Sequence, residues 1–212
     1  MGLFDFLFRR PASIRTVAEL ADFIDRNAAF VAQKGIYDYA RARAGHYTKV
    51  LFTEPEFQAA CNVSRWQTFP LGLAMVGEIV EGLLRPAWPG DRQSLNDAVC
   101  ELTLAVFDRY PAPGELGHEH WARMRDELAR HLKHVALHPT KLAIDVPEPF
   151  WQRYFDLMPI HEKLRTRDEL TTRGYLRSTL CNIHEELTKR MDAPVLVGAL
   201  EASSMAFGAP AA

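Results

Sequence analysis

Apolar residues recur at intervals of three and four positions along most of the chain, which is the spacing of one face of an α-helix. The first such stripe follows Thr16-Val-Ala-Glu19, a capping-box sequence. Because glycine is favoured just beyond a helix C-terminus, we expect this helix to end at Gly35 and a second to begin at Ile36. No run has the strict alternation or the β-branched bias of a strand. The pattern therefore predicts an all-α protein.

Residues 71–84 are apolar nearly all round, and the exceptions are Glu78 and Glu81. A helix of this kind is normally the buried centre of a bundle. The segment follows Pro70, and a proline inside a helix removes a backbone donor and collides with the preceding turn. We therefore expect a central apolar helix that is kinked or broken near Pro70.

The other stripes are separated by short proline-containing segments, with no repeat period and no long linker. We expect one helix to start at Ser94, and the last strong helix to run from about Asp168 to Met191, before Pro194. The sequence thus predicts a single-domain helical bundle of about six or seven helices over residues 11–200. Residues 1–10 are interpreted as a hydrophobic and basic N-terminal arm, and the Ala/Ser-rich residues 201–212 as a flexible C-terminal tail.

One predicted helix, residues 117–138, carries five of the eight histidines in the chain. On a helical wheel, an apolar sector about 80° wide is flanked by a second sector about 60° wide. The apolar sector, which we expect to face the core, consists of Trp121, Met124, Leu128, Leu132 and Val135. The second sector is the one concentration of chemically versatile side chains, and it consists of His120, Glu127, His131, His134 and His138.

Histidines three or four positions apart on a helix can bind one metal ion. His131, His134 and His138 have this spacing, and Glu127 with His131 is an alternative pair. The whole stripe is about 27 Å long at 1.5 Å per residue, so only part of it can form a site. A carboxylate from another helix is also required, and the two glutamates of the central apolar helix are the candidates. The competing interpretation is that these histidines only border the core.

The first ten residues include five bulky apolar side chains followed by two arginines. They are Leu3, Phe4, Phe6, Leu7, Phe8, Arg9 and Arg10. Such a segment can dock on a protein surface, or it can insert into a membrane surface with its arginines at anionic headgroups. No stretch reaches the roughly 18 apolar residues that span a bilayer, so we expect no transmembrane segment.

Composition places the chain among ordinary globular proteins. Of its 212 residues 48% are hydrophobic and 25% are charged, and the formal net charge is −2. Nucleic-acid binding is not expected, because domains that bind phosphates are usually plainly basic. Three widely separated cysteines and the absence of a signal-peptide pattern indicate a cytoplasmic protein, with peripheral membrane contact as an alternative.

The sequence lacks the familiar catalytic and cofactor motifs: HExxH, paired Glu-x-x-His, G-x-S-x-G, the P-loop and the dinucleotide fingerprint. We therefore expect no cofactor and a non-enzymatic binding or accessory protein. It would dock on a protein partner, a second copy of itself or a membrane surface through the N-terminal arm. The alternative is an enzyme dependent on a transition metal or haem, with a site between the helix of residues 117–138 and the helix that carries Glu78 and Glu81.

Overall fold

The computed structural model describes residues 12–159, 165 and 168–207. Among these residues lie six α-helices of 15 residues or more and two short ones. In chain order they are α1 (Val17–Ala44), α2 (Thr48–Leu51), α3 (Pro55–Leu84), α4 (Arg92–Phe107), α5 (His118–Val135), α6 (Trp151–Asp156), α7 (Glu169–Arg190) and α8 (Ala193–Phe207). The only strand-like pairing in this part of the chain is an isolated bridge between Ile14 and Met191. The predicted all-α fold is confirmed.

The central helix of the bundle is α3, which contacts α1, α4, α5 and α7. Every residue from 68 to 81 is buried, which confirms that the apolar segment lies in the core. The most extensive helix pair is α1 with α3. At its centre Gly72 lies against the backbone of α1, where a Cβ atom would come within 2.7 Å of the Ala28 carbonyl oxygen. Only glycine permits this approach of the two helices.

Helix α3 continues through Pro70 without interruption, so of the two predicted alternatives the break does not occur, and the kink stays a prediction. A proline inside a helix costs about 3 kcal/mol. The side chains next to it, including Phe69, Leu73 and Met75, are buried in the core. Burial of each large apolar side chain contributes roughly 1.5–3 kcal/mol, so packing on both sides of Pro70 outweighs the lost hydrogen bond.

The predicted helix end at Gly35 is also wrong, because α1 runs through this residue to Ala44. Gly35 is buried, and a Cβ atom there would overlap the hydroxyl of Tyr154 and lie 2.7 Å from Cε1 of Tyr175. The Tyr154 hydroxyl donates a hydrogen bond to the Val31 carbonyl at 2.7 Å. Gly35 therefore makes room for a buried tyrosine in the middle of one long helix.

Helix caps account for two of the observed helix starts. The capping box of α1 is confirmed, since Thr16 Oγ1 accepts from the Glu19 N–H at 3.2 Å and the Glu19 carboxylate accepts from the Thr16 N–H at 3.0 Å. The predicted start at Ser94 is wrong, because Asp91 caps α4 and accepts from the Ser94 N–H at 2.7 Å. The Ser94 hydroxyl instead accepts from the indole N–H of Trp88 at 3.0 Å.

The start of the described chain lies against the link between α7 and α8. The Ile14 N–H donates to the Arg190 carbonyl at 2.8 Å, and the Ile14 carbonyl accepts from the Asp192 N–H at 3.1 Å. The last strong helix of the prediction, from about Asp168 to Met191, is confirmed as α7 (Glu169–Arg190). A further helix that was not predicted follows it, since Pro194 lies in the first turn of α8, which continues past residue 201 into the predicted tail. The arm of residues 1–10 lies outside the described residues. Within the described part, no helix is long and apolar enough to cross a membrane.

A candidate binding cleft between α3 and α5

The apolar sector predicted for α5 is confirmed, since all five of its side chains are buried. The helix is shorter than predicted and ends at Val135. His138 therefore lies beyond the helix, next to Pro139, and the prediction that it continues the histidine face is wrong. Proline disfavours helical backbone at the residue before it, which accounts for the early end.

Glu78 lies in the buried part of α3, with only 7% of its side chain exposed. Lys141 Nζ lies 2.7 Å from Glu78 Oε1, and His131 Nε2 lies 3.6 Å from Glu78 Oε2. Burial raises the pKa of Glu78, but the neighbouring His131 and Lys141 outweigh burial, so the pKa lies below its usual value. Glu78 is therefore a buried carboxylate held ionised between two basic side chains.

The ring of His131 separates Glu78 from a cleft. Its Nε2 and the facing Glu78 Oε2 are buried, and neither has a hydrogen-bond partner among the described residues, since 3.6 Å is too long for a hydrogen bond. The ring packs edge-on against Phe150 with 4.5 Å between ring centroids, and 30% of the side chain is exposed. When Nε2 carries the proton that faces Glu78, Nδ1 presents its lone pair as a hydrogen-bond acceptor.

The cleft has a volume of about 380 Å³ and lies between α3, α5 and the start of α6. This volume is at the lower end of the range for small-molecule sites. Its apolar floor is formed by Pro70, Leu71, Ala74, Met124, Leu128, Pro149 and Phe150. Its polar side chains come from Gln67, Glu127, Arg130, His131 and Arg153.

The polar side of the cleft carries an excess of positive charge. Arg153 Nη1 lies 2.8 Å from Glu127 Oε2, so these two charges compensate each other and join α6 to α5. Arg130 lines the same cleft, and its guanidinium group makes no ion pair or side-chain hydrogen bond to the described residues. Arg130 is exposed to solvent, and among the described residues it is the arginine of the cleft without a carboxylate partner.

The structure does not assemble the other predicted metal ligands around His131. His134 is exposed, and its Nδ1 lies against the Arg130 carbonyl one turn earlier. Glu81 is paired with Arg85, whose Nε lies 2.9 Å from Glu81 Oε1. Burial raises the pKa of Glu81, and Arg85 opposes this rise only in part. In the described part of the chain, no group of three or more His, Cys, Asp or Glu side chains could hold a metal ion.

Several residues of the site carry no recognisable signal in the sequence. Lys141 lies in an irregular segment between Pro139 and Pro147, and no periodicity predicts that this segment returns to α3. Phe150 immediately precedes the short helix α6 and Arg153 lies within it, and the packing partner of α6 cannot be read from its own six residues. Only the pairing of His131 with Glu78 follows from the predicted neighbourhood of their two helices.

The cleft combines a small set of polar side chains with an apolar floor. Its lining residues offer guanidinium donors, an imidazole acceptor and an amide beside an apolar floor, and they include no serine, threonine, cysteine or lysine. Comparisons with protein-family models, with curated proteins and with solved structures found no match to this chain. The function must therefore be inferred from the cleft and its charges.

Proposed function

We propose that this protein is a non-enzymatic binding protein and that the cleft between α3 and α5 is a ligand site. The observation that carries the proposal is the position of His131, whose ring stands between the buried Glu78 and an apolar cleft of about 380 Å³. A small number of polar groups beside an apolar floor is the usual composition of a small-molecule site.

The energetic cost of Glu78 supports the same proposal. Burying a carboxylate is expensive, and replacing a buried ion pair with apolar residues of similar volume is often neutral or stabilising. Packing alone therefore gives no reason for a carboxylate in the centre of α3. A carboxylate behind an imidazole does have a use in recognition, since it fixes which ring nitrogen carries the proton and which one faces a ligand.

A fragment screen tests the proposal. Saturation-transfer NMR with molecules of about ten to fifteen non-hydrogen atoms should find binders to the wild-type protein. Gln67→Trp places an indole at the polar side of the cleft and should abolish most of this binding. Ala59→Trp, an exposed position on α3 outside the cleft, is the matched control and should retain it. Equal binding by Gln67→Trp and wild type would contradict the proposal.

The N-terminal arm provides a second proposed contact. Its five bulky apolar side chains and two arginines favour docking on a protein partner, a second copy of this chain or an anionic membrane surface. A variant without residues 2–8 should lose flotation with anionic vesicles or lose a concentration-dependent oligomer in light scattering. If the shortened protein behaves like the full chain in both assays, docking through the arm is rejected.

A cytoplasmic location is also proposed. The three cysteines Cys61, Cys100 and Cys181 are free, as expected in a reducing compartment. Burial raises the pKa of the Cys61 thiol to about 11, so this side chain is an inert part of the core. Cell fractionation against compartment markers tests the location.

A further inference from the structure

We infer that the ligand of the cleft is a small organic carboxylate whose apolar body carries one hydrogen-bond donor. The inference rests on the proposed function, since it takes the cleft between α3 and α5 as the binding site. It names the chemistry that the cleft would select, and it follows from three features: the charge of Arg130, the volume and the acceptor nitrogen of His131.

The charge argument concerns Arg130 and Arg153. Arg153 is already paired with Glu127 at 2.8 Å, whereas Arg130 has no carboxylate partner among the described residues. Arg130, which is exposed to solvent, is therefore available to pair with one negative charge of a ligand. A carboxylate supplies one charge, and its two oxygens match the fork of a guanidinium group in bidentate geometry.

The volume sets the size of the ligand. A water molecule occupies about 30 Å³ in the liquid, so a cleft of about 380 Å³ holds roughly a dozen waters. A ligand with a similar number of non-hydrogen atoms would fill it. The floor, which includes Leu71, Met124 and Phe150, is apolar, so the body of such a ligand gains most by being a flat or compact hydrocarbon or heteroaromatic group.

The ring of His131 supplies the third criterion. Its Nε2 is buried and faces Glu78 at 3.6 Å without a hydrogen bond, so when Nε2 carries the proton the other ring nitrogen, Nδ1, is the acceptor. An acceptor beside the apolar floor of the cleft favours a ligand with an N–H or O–H at that position and gains nothing from a hydrocarbon edge. His131 would thus distinguish between two acids of the same shape.

Three matched probes separate these contributions: indole-3-acetate, indole-3-acetamide and 1-methylindole-3-acetate. The first has both the charge and the N–H, the second lacks the charge, and the third lacks the N–H. Isothermal titration should show that indole-3-acetate binds the wild-type protein about tenfold or more tightly than the amide, and several-fold more tightly than the methylated acid. Equal affinity in either comparison overturns the inference.

Variants of the cleft assign each preference to a side chain. Arg130→Gln should remove the preference for the acid over the amide, and His131→Phe should remove the preference for indole over 1-methylindole. Glu127→Gln should increase the affinity for indole-3-acetate by about threefold to tenfold, because Arg153 then becomes available to the ligand. Glu119→Gln, on the exposed first turn of α5, is the control and should change nothing. A loss of affinity in Glu127→Gln contradicts the charge argument.

The ligand site and the class of its ligand can be rejected separately. If the fragment screen finds neutral or cationic molecules that Gln67→Trp excludes, and no acid binds, the inference is overturned while the cleft remains a ligand site. If no fragment and none of the three indoles binds the wild-type protein, the proposed ligand site fails with the inference.

Discussion

His131 Nε2 lies 3.6 Å from Glu78 Oε2, and this contact joins the amphipathic helix α5 to the buried centre of α3. The other oxygen of Glu78 is 2.7 Å from Lys141 Nζ, in the irregular segment that follows α5. One buried carboxylate therefore holds two consecutive parts of the chain against the central helix. Its two partners differ in their role, because Lys141 compensates the charge and His131 faces the cleft.

Removing Lys141 should destabilise the fold more than neutralising Glu78. Lys141→Met leaves a buried carboxylate without its closest cation, whereas Glu78→Gln leaves a lysine that is 32% exposed and can be hydrated. Breaking a fully buried pair costs about 3–5 kcal/mol, and partial hydration reduces this, so we expect about 2 kcal/mol for Lys141→Met and about 1 kcal/mol for Glu78→Gln. Urea denaturation monitored by circular dichroism measures both.

The double variant Lys141→Met/Glu78→Gln should lose less stability than the sum of the losses in the two single variants. Each single variant leaves one charged side chain without its partner, whereas the double variant removes both charges. Lys189→Met is a matched control, because Lys189 forms an exposed ion pair with Glu185 one turn away. Since exposed ion pairs contribute little to stability, its urea midpoint should equal that of the wild-type protein. If Lys141→Met and Lys189→Met lose the same free energy of unfolding, the ion pair of Lys141 with Glu78 is not buried in solution.

Glu78 and Glu81 should affect the pH dependence of stability in opposite directions. The pKa of Glu78 is lowered, because His131 and Lys141 outweigh burial. The folded protein then binds this proton less readily than the unfolded chain, so the stabilisation is present above about pH 4.5 and is lost as the pH falls through the folded pKa. Relative to wild type, Glu78→Gln should be less destabilised at pH 3 than at pH 6.

The pKa of Glu81 is raised, mainly by burial. Here the folded protein binds the proton more readily, so ionisation of Glu81 weakens the fold as the pH rises above about 4.5. Relative to wild type, Glu81→Gln should therefore become more favourable between pH 3 and pH 6. Urea midpoints of wild type and both variants across this range test the two signs, and slopes of the same sign for the two variants would contradict the assignment.

Gly35→Ala should destabilise the protein although alanine is the better helix former. The gain in helix propensity is about 1 kcal/mol, whereas forcing a methyl group into a packed core costs about 1–3 kcal/mol. The methyl group would meet the Tyr154 hydroxyl, which cannot move without losing its bond to the Val31 carbonyl. We expect a net loss of about 1–2 kcal/mol in thermal and urea unfolding.

The Tyr154→Phe background is the control for this prediction. Without the hydroxyl, the closest contact of the added methyl group disappears, so Gly35→Ala should cost less there than in wild type. An unchanged cost would mean that Tyr154 does not lie against α1 at this position.

The N-cap of α4 gives a further test. Asp91→Ala should cost about 1 kcal/mol, because the Asp91 carboxylate accepts the Ser94 N–H at the start of the helix. Ser94→Ala should cost less, since the Ser94 hydroxyl is not the acceptor of a helix N–H. The opposite order in urea denaturation would place the helix start at Ser94.

The sequence predicted those parts of the fold that depend on local periodicity. The apolar side chains of α5 and the buried segment of α3 were both identified, because a helical stripe shows which face is buried whatever it packs against. At Gly35 the expected helix end, and at Pro70 the expected break, do not occur, and the reason is the same. Each residue is a local signal for the end or interruption of a helix, and in each case a tertiary contact decides otherwise: Tyr154 against Gly35, and core packing on both sides of Pro70.

The site was predicted only in part. The histidines of α5 and the glutamates of α3 were expected to meet, and the structure brings His131 to Glu78. Lys141, which pairs with Glu78 at 2.7 Å, could not be predicted, because an irregular segment carries no pattern that fixes its path. Phe150 and Arg153, on the third side of the cleft, could not be predicted either, because α6 is too short for its pattern to show which helix it packs against.

The most direct test of the proposed ligand site is the ¹⁵N NMR spectrum of the histidine side chains during titration with indole-3-acetate. The His131 signals can be assigned by their loss in His131→Gln. Binding in the cleft should shift the His131 Nδ1 resonance in a saturable manner, while His118 and His134, which lie outside the cleft on the same helix, stay unchanged. Saturable binding that leaves the His131 resonances in place would contradict the account.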